Sequence, residues 1–208
     1  MALSDNAPAA AWLHWWQQGF CQQADVSWQT LPWFQLSAPL RQSLLHKSPQ
    51  AISAMLALNE CLPNKPDARL LALVSLDPQQ RETLFALVAE VCQPGSRVAQ
   101  LEEPQRIWCE RLTRGLRPGV WLPAALSFSG ESDFASLYLL RPIFTPAVWQ
   151  RLRLSFPSSA VELCEASFPH EPAPPLNRLQ ALWDGALWQA QRYPPRQALA
   201  LNDSSREQ

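Results

Sequence analysis

Proline sets the tightest limit on what this chain can fold into. Five Xaa-Pro steps, Ser48-Pro49, Lys65-Pro66, Asp77-Pro78, Glu103-Pro104 and Thr145-Pro146, stand almost without exception directly before an apolar run with helical spacing. Proline lacks a backbone donor, which is tolerated in the first helical turn because that N–H has no intrahelical acceptor. A Ser, Asp or Thr before it can cap the helix by accepting a backbone N–H bond. The prolines therefore read as helix starts. The expected fold is all-α, a compact orthogonal bundle of about eight to ten short helices with irregular connections.

Along the chain, residues 1–9 read as a loose tail, 10–165 as one helical domain and 166–175 as a stiff proline-rich linker. A C-terminal helix over 176–193 is expected to pack on the domain, and 194–208 reads as a disordered tail. Trp12, Trp15 and Trp16 fall at i, i+3, i+4 of a short helix that Gly19 should stop. Residues 21–36 read as ordered but irregular, interrupted by Pro32, and a helix is expected over 38–47 with Leu40, Leu44 and Leu45 on one side.

Ser48 should cap a helix carrying Ile52, Met55, Leu56 and Leu62. A helix with Leu70, Leu71, Leu73, Val74 and Leu76 has little polar face, and Leu84, Leu87, Val88 and Val91 make a clean stripe on the next. Their short connection predicts contacting neighbours at the centre of the core. Another helix runs from Glu103 to about Gly115, with Trp108, Leu112 and Leu116 on one side. Helices are also expected over 132–141, 146–152, about 159–165 and 176–192, the last with Leu176, Leu179, Leu182, Trp183, Ala186 and Leu187 on one side. Arg151 to Phe156 alternates like a half-buried strand, but without a partner strand it should be an extended connector or the fraying end of a helix.

At 208 residues and 47% hydrophobic, the chain can bury a sizeable core. Its net charge of -1 gives no pull toward nucleic acid or acidic lipid. Residues 97–153 carry 8 basic and 5 acidic side chains, a surplus too small for a nucleic-acid footprint. Of the 17 basic residues, only Lys47 and Lys65 are lysines. Arg tolerates desolvation and pairs bidentately, and with ten Trp it suits a binding interface. The heavier reading is that the Trp side chains fill the core.

Cys21, Cys61, Cys92, Cys109 and Cys164 are odd in number and scattered, which predicts free, mostly buried thiols in a reducing compartment. The N-terminus has neither the basic nor the apolar segment of a signal peptide, and no apolar run approaches a membrane span. The expectation is a cytoplasmic protein with no membrane insertion.

Signals for catalysis are weak. His14, His46 and His170 have no partner at i+3 or i+4, so a metal site would need ligands distant in sequence. Cys109, with Arg106 and Arg111 beside it, is the most tempting nucleophile, but a structural thiol next to Trp108 is favoured. With 6 Gly, the chain has neither a phosphate-cradling loop nor a Gly-x-Ser-x-Gly elbow. No enzyme and no cofactor are expected.

The best interaction candidate is the mixed-charge face Glu103, Arg106, Glu110, Arg114, Arg117, with Arg151 and Arg153 as a second basic edge. Its plain reading is a solvated helix surface held by i,i+4 pairs such as Arg106–Glu110 and Glu110–Arg114.

Two segments, Arg69 to Val88 (RLLALVSLDPQQRETLFALV) and Phe134 (FASLYLLRP) through Pro146 to Pro157 (PAVWQRLRLSFP), carry a family likeness. They resemble the SctK family, accessory cytosolic proteins of bacterial type III secretion injectisomes. The Leu/Trp/Pro-rich segment from Trp12 to Leu36 also fits. The resemblance implies a predominantly helical, non-enzymatic adaptor of the sorting platform. It would bridge the forkhead-associated-like cytoplasmic domain of the inner-membrane ring protein SctD to the pod protein SctQ, beside SctL and the export ATPase. It implies a monomer in isolation and no catalytic residues. Rival readings are a secretion chaperone or regulator that engages an export substrate, a cysteine-dependent enzyme, and a regulatory nucleic-acid binder.

Overall fold

The computed structural model describes residues 7–59, 61–129, 133–167 and 173–192. These residues form helices and connections with no strand, so the protein is all-α as the prolines predict. The elements are α1 Ala7–His14, α2 Phe20–Gln22, α3 Pro32–Gln35, α4 Ala38–Lys47, α5 Pro49–Met55, α6 Ala68–Val74, α7 Pro78–Cys92, α8 Glu103–Leu116, α9 Phe134–Leu140, α10 Pro146–Leu152, α11 Ser158–Ala166 and α12 Leu176–Arg192. Ten of these, among the described residues, run seven residues or longer. No helix among them is long and apolar enough to cross a membrane.

Proline occupies the first or second position of α3, α4, α5, α7, α8 and α10. The capping side chains differ from expectation. Asp77 does cap α7: Gln80 N–H donates to its Oδ1 at 2.8 Å, and the Gln80 amide oxygen accepts from Asp77 N–H at 3.1 Å. Ser48 makes no cap bond, because it also ends α4 and sits at φ -151°, ψ 70°, outside the extended conformation of a cap residue. Thr145 makes none either. Before α6, Asp67 rather than Lys65-Pro66 supplies the acceptor, taking N–H bonds from Arg69 and Leu70 at 2.9 and 3.0 Å.

The chain divides into two compact units, one of residues up to 71 with 141–167, the other of 72–140 with the described residues from 173. In the first unit α1 continues without a break through a π-helical turn, Trp15–Gly19, into α2. Gly19 does not stop it: its φ of -59° and ψ of -37° are ordinary right-handed helix. Its lack of a side chain instead makes room, since a Cβ there would lie 3.3 Å from Trp15 Cδ1. Residues 7–9, expected in the tail, belong to α1. The π turn lets Phe20 N–H donate to Trp15 O and sets the two rings edge to face with centroids 6.4 Å apart.

Pro32 begins a turn of helix, α3, whose Trp33 and Phe34 are buried. Leu62, expected inside α5, lies beyond it and is exposed, as is Leu40 on α4. Arg153–Ser155 is a 3-10 extension of α10, the helix-end alternative for the alternating segment. Three hydrogen bonds tie it to the N-terminal part of the unit: Asp25 N–H to Leu154 O at 2.7 Å, the Trp28 indole to Phe156 O at 2.8 Å, and Ser158 N–H to Ser27 Oγ at 2.8 Å.

In the second unit α7 is buried continuously from Leu84 to Cys92. A helix apolar on all sides needs neighbours all round. Its principal partners are α12 and α8, with α9 beside it, so the core rests on these helices rather than on the expected α6–α7 pairing. Phe85 meets the Trp183 ring edge to face at 5.9 Å. The one acidic side chain in the buried run, Glu90, turns back to accept N–H bonds from Gly95 and Arg97 at 2.8 and 2.9 Å, closing the turn after α7.

Candidate interaction surfaces

The first candidate surface is the outward side of α8. Its apolar side faces α7, where Cys109 is fully buried and Thr113 Oγ1 donates to Val91 O at 2.9 Å. Both ends are pinned. At the start, Glu102 N–H donates to Gln105 Oε1 at 2.8 Å. At the end, Arg178 from α12 donates to the carbonyls of Gly115 and Leu116 at 3.2 and 2.9 Å, and the Trp121 indole donates to Leu116 O at 2.9 Å. A cation against the last carbonyls of a helix complements its dipole.

This anchored helix leaves Glu103, Glu110, Arg114 and Arg117 exposed and Arg106 half-buried. Glu110 and Arg114 form an ion pair at 3.6 Å, as the i,i+4 spacing predicts; Arg106 makes no ion pair among the described residues. Both members of that pair are largely solvated, so it contributes little. Ile107, exposed between these charges, adds apolar surface. Arg117 is the C-cap and adopts the left-handed conformation at φ 49°, ψ 59°, which holds its side chain at the tip of the helix.

The expected second basic edge takes a different form. Arg151 is buried, 5% exposed, and is no surface residue. Its Nη1 donates to Ala147 O at 3.1 Å, and its guanidinium carbon lies 4.0 Å from the Trp16 ring centroid and 5.6 Å from that of Phe20. Arg153 is half-buried and committed: it pairs with Glu165 at 3.2 Å and sits over the Trp28 ring at 5.9 Å. Glu165 also accepts from the Trp149 indole at 2.8 Å. Both guanidinium groups lie against aromatic rings, Arg151 on Trp16 and Phe20 and Arg153 on Trp28, so they form no basic edge.

A cavity of about 620 Å³ opens in the first unit, lined by Trp16, Phe20, Gln50, Ile52, Cys61 and Arg151 among others. Its lining comes from the π turn and α2, from α4–α5 and the segment after them, and from α10. Sequence reasoning had no means of finding it, because no motif links residues 16–20, 45–62 and 151. Burial lowers the Arg151 proton affinity below the usual guanidinium range, an effect opposed by the Cys61 and Cys21 sulfurs.

The tryptophans divide as the core reading predicts: Trp12, Trp15, Trp16, Trp33, Trp149 and Trp183 are buried, whereas Trp188 is exposed under Arg192. Cys109 is a packing thiol whose S–H contacts Leu87 O at 3.8 Å. Burial foremost, with the Glu90 carboxylate, pushes it up to about 12, the reverse of an activated nucleophile. All five cysteines are free, with Cys92, Cys109 and Cys164 buried and Cys61 exposed. His14 pairs with Gln18 one turn on; His170 and the side chain of His46 lie outside the described residues, as do the tail from 194 and most of the proline-rich linker. Comparison with protein-family models, with curated proteins and with solved structures finds no match to this chain.

Proposed function

We propose that this chain is a non-enzymatic adaptor of the cytosolic type III secretion sorting platform, of the SctK kind. It works at the cytoplasmic face of the inner membrane, holding the SctD cytoplasmic domain and the pod protein SctQ through separate faces. The family reading is supported by the resemblance of residues 69–88 and 134–157. The observation that carries the adaptor class is α8: a helix fixed at both ends that presents Arg106, Arg114 and Arg117 with one weak ion pair among them. Such a surface binds by complementary charge without first having to order itself.

Charge reversal of Arg106, Arg114 and Arg117 to Glu tests the assignment. Pull-down by SctD domain or SctQ should fall at least tenfold for one partner and persist for the other. Capture of both partners at wild-type levels would remove α8 from the interface.

A further inference from the structure

The cavity of the first unit carries a chemical signature that the adaptor reading does not use. Among the described residues Arg151 is the one charged group in its lining; the others are apolar, aromatic, amide, hydroxyl or thiol, and no carboxylate joins them. Among the described residues Arg151 forms no ion pair; its Nη1 is spent on the carbonyl of its own preceding turn, the Cys61 thiol is its one side-chain hydrogen-bond partner there, and its buried Nε has none. A buried cation is ordinarily paired with a carboxylate, because its desolvation is otherwise uncompensated. Here the Trp16 and Phe20 rings stand where that counter-ion would be expected.

The geometry points to a binding site for a single carboxylate carried on an apolar body. The acid, a stronger acceptor than the Cys61 thiol now beside Arg151, would pair with the guanidinium, and the body would lie against Trp16, Phe20, Leu45 and Ile52. Three observations select this chemistry. A lone guanidinium matches one carboxylate in charge and fork geometry. A phosphate dianion would call for a second cation, and the described lining contains none. The volume lies in the range that accepts a small organic molecule or one anchoring side chain of a peptide. Gln17, Gln18 and Gln50 add amide groups at the wall that can orient the acid.

Cys61 lines the same cavity and is exposed, which provides a reporter in the unaltered full chain. Iodoacetamide labelling of Cys61, read by mass spectrometry, is followed with 4-phenylbutyrate, with the neutral 4-phenylbutanol, and with the dipeptide acetyl-Phe-Glu-amide. At least one of the two acids should slow the labelling saturably, with the alcohol at least tenfold less effective. Stronger protection by the dipeptide assigns the site to an acidic segment of a protein; stronger protection by phenylbutyrate assigns it to a small organic acid. Protection should be lost in Arg151→Gln and retained in part in Arg151→Lys, each checked for native helicity. Equal protection by acid and alcohol, or none by either acid, overturns the proposal whether or not the variants fold. Partner capture by α8 is a separate readout, so failure here leaves the adaptor reading standing.

Discussion

The guanidinium carbon of Arg151 sits over the Trp16 ring, 4.0 Å from its centroid, inside a unit where no described carboxylate pairs with it. A desolvated cation–π contact of this kind contributes about 2 kcal/mol. Burying an unpaired cation costs several kcal/mol, so the balance is unfavourable to folding. Arg151→Met keeps the volume and removes the charge. It should raise stability by about 1 kcal/mol or more, read as a higher urea midpoint with an unchanged slope. A lower midpoint would make Arg151 a structural residue and remove one reason for a bound acid.

Arg117 ends α8 in the left-handed conformation, which costs a residue with a side chain about 1–2 kcal/mol. Arg117→Gly should therefore stabilise the fold by about 1 kcal/mol, whereas Arg117→Ala should give little. Thermal unfolding of the pair checks this. If Gly and Ala behave alike, the strain is absent.

Two helical glycines should respond oppositely. A Cβ on Gly115 would meet nothing within 4 Å, so Gly115→Ala should stabilise by about 0.5–1 kcal/mol. A Cβ on Gly185 would lie 3.2 Å from Trp108 Cζ2 and 3.7 Å from Leu112 Cδ2. Gly185→Val should force α8 and α12 apart and cost about 1–3 kcal/mol. Equal shifts in urea midpoint would contradict the close approach of the two helices at Trp108.

Burial pushes the Cys21, Cys109 and Cys164 thiols up to about 12, against an ordinary value of 9.0. The folded state therefore keeps these protons when the unfolded state has begun to lose them. Their stabilisation is complete below pH 9 and is lost progressively as pH rises from there toward 12. Unfolding midpoints measured from pH 8 to pH 10.5 should fall, and Cys109→Ala should reduce the slope. An unchanged slope would mean that Cys109 is accessible to water.

Much of this fold is legible in residue order because its punctuation is local. Pro78 after Asp77 and Pro146 after Thr145 mark helix starts that need no tertiary information. The stripe Leu84, Leu87, Val88 and Val91 marks a core helix, but that burial extends all round it from Leu84 to Cys92 is set by its neighbours. The misreadings have local causes too. Gly19 and Pro32 are breakers by propensity, but a glycine can remain helical where a ring needs its space, and a proline can open a turn. The segment from Arg151 to Phe156 is the helix end that the lack of a partner strand left as one alternative, but its alternation does not foretell burial: every residue of it except the half-buried Arg153 is buried. The cavity is a different case. Trp16, Ile52, Cys61 and Arg151 meet only through tertiary packing, and nothing in their spacing announces it.

Co-expression of the full chain with the SctD cytoplasmic domain and SctQ, followed by size-exclusion chromatography with light scattering, tests the adaptor claim most directly. The account predicts one peak whose mass requires all three components, resolving into a monomer of 23.4 kDa when the chain is purified alone. Elution of the chain apart from both candidates would contradict it.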